Sequence, residues 1–130
     1  MPARVSWYES QSIILFVVDE PVTLDELEDA AEQVWALAGE VREPVDMIFD
    51  YHSVENFPRG VLPIVREGHF TLPTLERVAL VGSEPIVEMM MTTLTRATFR
   101  PDPTIHPDAD DAAKALRRMA GEDNHRQNSA

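Results

Sequence analysis

Apolar residues fall into two alternating rhythms along this chain, and the switch between them marks out its elements. "RVSWYE" alternates as a half-buried strand does, with Val5 and Trp7 on one face and Tyr8 on the other. "SIILFVV" is apolar at successive positions, the pattern of a strand covered on both faces, and the polar link "ESQS" joins the two as a hairpin. The period then lengthens. In "TLDELEDAAEQVWALAGEV", Leu24, Leu27, Ala31, Val34, Ala38 and Val41 recur at helical spacing. Thr23 with Glu26 three residues on forms a capping box that satisfies free amides at the helix start.

"VDMIFD" predicts a short interior strand ending at Asp50, and a helix follows over about Gly60 to His69, limited by Pro63. "RVALVG" predicts another interior strand. Ser83 and Pro85 then open a helix through Ile86, Met90, Leu94 and Ala97. "TFRPDPTIH" is extended, but Pro101 and Pro103 cannot donate to a central ladder, so its strand is short and near a sheet edge. Asp108 and Asp111 cap a last helix, "ADDAAKALRRM", with Arg117 and Arg118 toward its negative end. The tail 121–130, "GEDNHRQNSA", has no apolar anchor and reads as disordered.

The predicted order is therefore β-β-α-β-α-β-α-β-α, an α/β domain over residues 1–120 with a mixed, mostly parallel five-stranded sheet and four helices. A chain of 130 residues suits one such domain. Charge narrows the function classes. With 23 Asp and Glu against 11 Lys and Arg the formal net charge is -12, which disfavours phosphodiester and anionic-lipid partners. No cysteine is present, so disulfides, thiol chemistry and thiolate metal sites are excluded. "IILFVV" is too short to span a bilayer and "MPARVSWYES" lacks the pattern of a signal peptide, so the expected location is cytoplasmic.

Few residues carry recognisable chemistry. His52 stands beside Ser53, but adjacent residues of an extended segment point apart and no "GxSxG" elbow occurs, which argues against a nucleophilic enzyme. His52, His69, His106 and His125 include no pair at helical ligand spacing, so no metal is expected. Neither "GxGxxG" nor "GxxxxGK" occurs, and no nucleotide or other cofactor is expected.

The capped acidic helix after the second strand, with the strand-loop-helix corner "FDYHSVENFPRGVL" after the third, resembles the STAS fold of bacterial anti-sigma factor antagonists. The closer likeness is to its SpoIIAA-like group, bordering the SEC14-type lipid-binding folds, and it spans approximately Arg4 to Ala120. That resemblance implies a non-enzymatic regulatory or protein-interaction domain. In regulatory STAS proteins an Asp ends the third strand and an Asp-Ser pair opens the next helix, the Ser being phosphorylated by a partner kinase. Asp50 matches the first, but Pro58 and Arg59 stand at the pair, so the phosphoacceptor is absent, while Gly60 fits the family glycine.

Several features keep two readings each. Arg59 either pairs with Asp50 or Glu55 or is simply solvated, or it forms an anion pocket with the amides near Gly60 and Val61. Met90 faces inward as core, while Met89 and Met91, which cannot fully share that face, either pack in the ordinary way or line a groove with Leu94 for an acyl chain or a partner. In the alternative of a carrier or sensor of a small hydrophobic ligand, Met89 and Met90 are the candidate ligand contacts. Trp7 on the expected edge strand, with Tyr8, is core or a homodimer contact. The acidic helix face of Asp25, Glu26, Glu28, Asp29 and Glu32 is solvated or docks a basic protein partner.

Overall fold

A computed structural model describes residues 3–54, 75–82 and 104–128, the side chains of 122–128 excepted. The elements are β1 (Ala3–Glu9), β2 (Ile13–Val18), α1 (Leu24–Gly39), β3 (Val45–Asp50), β4 (Leu75–Val81), β5 (Thr104–His106) and α2 (Ala109–Asn128). They build a five-stranded sheet in the order β1-β2-β3-β4-β5. β1 runs antiparallel to β2, and the remaining neighbours are parallel.

The α/β class, the opening hairpin and the mostly parallel sheet thus agree with the sequence. Of the four expected helices, the described residues contain the first and last. Those over residues 60–69 and 83–97 lie outside the described residues, as do Arg59, Gly60, Met89 and Met90.

The sheet is covered on both faces. α1 packs on one side, where Leu27, Ala31, Val34 and Ala38 meet Ile14, Phe16, Met47 and Phe49. α2 packs on the other, where Ala112, Ala113 and Leu116 meet Ile13, Ile48, Ala79 and Val81. Two-sided burial is why β3 is buried at every position and reads as an apolar run interrupted only by Asp46 and Asp50. A fully buried Leu116 side chain alone contributes about 1.5–3 kcal/mol.

The capping box at α1 forms as the spacing requires: Glu26 N–H donates to Thr23 Oγ1 at 3.2 Å and Thr23 N–H to Glu26 Oε1 at 3.1 Å. At α2, Asp108 Oδ1 accepts from the Asp111 amide at 2.8 Å. Asp111 itself turns to His106, whose Nδ1 lies 2.7 Å from Asp111 Oδ2.

α2 runs through Gly121 to Asn128, a segment whose sequence alone reads as a disordered tail. Extending an existing helix costs far less than nucleating one. The segment 121–128 has no proline to stop it, so an apolar anchor is not required.

Two register shifts decide the geometry at one end of the sheet. In the β1–β2 ladder Trp7 faces Ile14 and Glu9 faces Ile13, so Tyr8 is an extra residue. The bulge cancels the alternation. Tyr8 and Glu9 therefore both reach α2: Tyr8 packs against the apolar cluster that α2 shares with the sheet, its hydroxyl donating to Asp110, while Arg117 Nε donates to Glu9 Oε1 at 3.2 Å. In the β3–β4 ladder Val45 faces Leu75 and Met47 faces Val78, leaving Glu76 and Arg77 together opposite Asp46.

Candidate functional site

The two bulges flank a cavity of about 700 Å³ at the end of the sheet where β1 finishes and β2, β3 and β4 begin. Its volume lies in the range of small-molecule sites. Asp46 of β3 and Arg77 of β4 line it and are the two most buried charged residues on this face, at 7% and 5% exposure. Glu9 and Arg117 form one wall, Glu43 and Glu76 another, and the apolar surface comes from Ile13, Pro44 and Leu116.

The β4 bulge explains how Asp46 is held. A bulged residue leaves its amide outside the regular ladder. Here the Arg77 N–H donates instead to Asp46 Oδ1 at 3.2 Å, and Arg77 Nη1 approaches the same oxygen at 3.5 Å. Arg77 Nη2 lies 3.5 Å from Glu76 Oε1. Among the described residues Asp46 Oδ2 has no hydrogen-bond partner. Burial pushes the Asp46 carboxyl up to about 6 from its ordinary 3.8, the attraction of Arg77 opposing this and the nearby Glu76 adding to it.

A buried ion pair costs about as much desolvation as it returns in attraction, and an apolar pair at such positions is often at least as stable. Asp46 and Arg77 are therefore poor choices for stability alone. Two charged residues sunk in interior strands and lining an open cavity make this end of the sheet the candidate site.

The corner after β3, which the sequence singled out, is organised differently. Asp50 is buried, and its Oδ1 accepts from the His52 amide at 3.1 Å and lies 2.5 Å from His52 Nδ1. This is an Asx-type turn in which the carboxylate closes the chain on itself. Ser53 Oγ donates to Asp19 Oδ1 at 2.7 Å, and Arg4 holds Asp19 Oδ2 at 3.1 Å. The Ser53 hydroxyl is directed at Asp19, away from the role a nucleophile would need from His52.

Tyr51 fills the space behind this turn, fully buried against Phe49 at 5.6 Å between ring centroids. Gly82 makes room for it, since a β-carbon there would overlap the Tyr51 ring at Cε2.

His106 bridges Asp111 and Thr104, whose Oγ1 lies 2.7 Å from Nε2, and so ties β5 to α2. Among the described residues no three His, Asp or Glu side chains converge to hold a metal ion. Trp7 packs toward the α1 core while Tyr8 turns to α2, so the pair does not form one flat patch on the β1 edge.

Asp46, Arg77 and Glu9 belong to no motif that marks them in the sequence as site residues. The signal was present in part: "VDMIFD" and "RVALVG" each carry a charge inside an interior strand. Nor does a motif mark Trp35, which is 47% exposed because it falls between Val34 and Ala38 off the apolar stripe of α1.

Comparison of the chain with protein-family models, with curated proteins and with solved structures finds no match. Among the described residues no helix is long and apolar enough to cross a membrane.

Proposed function

We propose that this chain is a non-enzymatic regulatory domain, of STAS-like kind, whose input is a small polar ligand held at the open end of the sheet. The observation that carries this reading is the cavity of about 700 Å³ lined by the buried Asp46 and Arg77, with a strand bulge on either side turning Glu9 and Arg77 toward it. Bulges re-aim side chains and are frequent beside sites. The hairpin start, the capped acidic helix and the consecutive parallel strands support the STAS-like part.

Native mass spectrometry on gently purified protein tests the reading. The expected result is a retained small molecule, lost from the variant Ala120→Trp, which places an indole in the cavity mouth. Bare protein, together with no thermal shift across a panel of cationic, neutral and anionic small molecules, would overturn it.

A second reading has its own observation. The half-exposed Trp35 continues the acidic stripe of Asp25, Glu28 and Glu32 on α1, a surface suited to a basic segment of a protein partner through charge and cation–π contact. A Lys- and Arg-rich peptide should change the Trp35 fluorescence of a Trp7→Phe variant; an unchanged spectrum at saturating peptide would remove this reading.

A further inference from the structure

The walls of the cavity have a sign. Four carboxylates line it, Glu9, Glu43, Asp46 and Glu76, against the two guanidinium groups of Arg77 and Arg117, so the formal balance is minus two. Both cations are already engaged. Arg117 bonds Glu9 at 3.2 Å, and Arg77 lies 3.5 Å from both Asp46 and Glu76. An anion entering here meets excess negative charge and no uncommitted guanidinium among these two.

What is open is an acceptor. Asp46 is 7% exposed, its Oδ1 is committed to the Arg77 amide and guanidinium, and among the described residues its Oδ2 has no partner. Asp46 lines the cavity, and a ligand donor there takes the place of water on its carboxylate. The donor also needs positive charge to offset the balance of the walls.

The carboxylates stand on separate elements, Glu9 at the end of β1, Glu43 before β3, Asp46 in β3 and Glu76 in β4. Such spacing suits charges separated along a chain better than a compact ion, which requires converging ligands. Between them lie the apolar surfaces of Ile13, Pro44 and Leu116, which suit methylene groups.

We propose that the cavity binds a short aliphatic diamine or polyamine, one ammonium group donating to Asp46 Oδ2 and another facing the Glu43 side of the mouth. This deepens the small-ligand reading above and rests on it.

Isothermal titration in buffered salt with 1,4-diaminobutane and spermidine tests it, alongside butylamine, 1,4-butanediol, succinate and magnesium as probes of other charge and shape. The expected result is saturable binding of the diamine or triamine, weaker for butylamine and absent for succinate and magnesium. Asp46→Asn should weaken it roughly tenfold, and Glu43→Gln, on the exposed loop, should weaken it with the fold intact by circular dichroism.

Diamine binding that neither variant alters would be general association with an acidic surface and would overturn the proposal. Succinate or butanediol binding that Ala120→Trp abolishes would overturn the amine while leaving the small-ligand cavity standing. If no probe of any charge binds, and native spectra show bare protein, both fall together.

Discussion

Replacing Asp46 with Asn isolates the electrostatics of the cavity. The unfolded chain holds the Asp46 proton with an ordinary value of 3.8, and the folded chain with one raised to about 6. The folded state therefore binds the proton more tightly. Its stabilising contribution is fully present below pH 3.8 and is lost as the pH rises through about 6. At about 1.4 kcal/mol per pH unit, the whole interval corresponds to about 3 kcal/mol.

The part falling between pH 8 and pH 5 is about 1.4 kcal/mol by linkage. Water entering the cavity screens this toward about 1 kcal/mol. The asparagine side chain of the variant cannot titrate, but it keeps an oxygen for the Arg77 amide. The carboxylates facing the position from other elements, Glu9, Glu43 and Glu76, and the cations Arg77 and Arg117 remain in both proteins.

Whatever Asp46→Asn costs outright, the difference between wild type and variant should shift by about 1 kcal/mol in favour of wild type on going from pH 8 to pH 5. Urea denaturation followed by circular dichroism at several pH values measures it. A flat difference would refute burial as the dominant effect on Asp46. A difference of opposite sign would mean that attraction to Arg77 outweighs desolvation.

Other substitutions check the frame that positions the cavity. Gly82→Ala drives a methyl into the Tyr51 ring and should cost about 1–3 kcal/mol in urea midpoint stability, since a fully buried ring has little room to yield. Leu116→Ala, which removes the main anchor of α2, should cost about 2–5 kcal/mol and lower the melting temperature accordingly. Thr23→Ala, by breaking the capping box, should cost about 1 kcal/mol. Arg4→Ala removes only an exposed pair with Asp19 and should change stability by less than about 1 kcal/mol in the same assay.

Local signals are legible in the sequence where one element determines them. Thr23 and Glu26 announce a helix start by themselves, and the apolar runs of β2 and β3 announce two covered faces. The hairpin, the edge position of β5 and the alternation of Val5 and Trp7 follow in the same way.

The cavity is not legible because it depends on register. Whether Tyr8 is an extra residue depends on which residue of β2 stands opposite, and a single strand does not carry that information. Asp46 and Arg77 are visible as charges in apolar strands, but their meeting depends on β3 and β4 being parallel neighbours with an additional residue in β4. Asp50 stands out as the end of a strand, yet its carboxylate is occupied by the turn to His52. The end of α2 escapes the sequence because a polar segment looks alike as tail and as helix extension.

The most direct test of a ligand-binding domain is a proton–nitrogen correlation spectrum of the full chain, titrated with pooled small molecules of each charge type. A binding pool should shift the amides of Ser12, Asp46, Arg77 and Ala120, which line the cavity from four separate segments. Shifts confined to the exposed face of α1 around Trp35, or a spectrum unmoved by every pool, would contradict the ligand-binding reading.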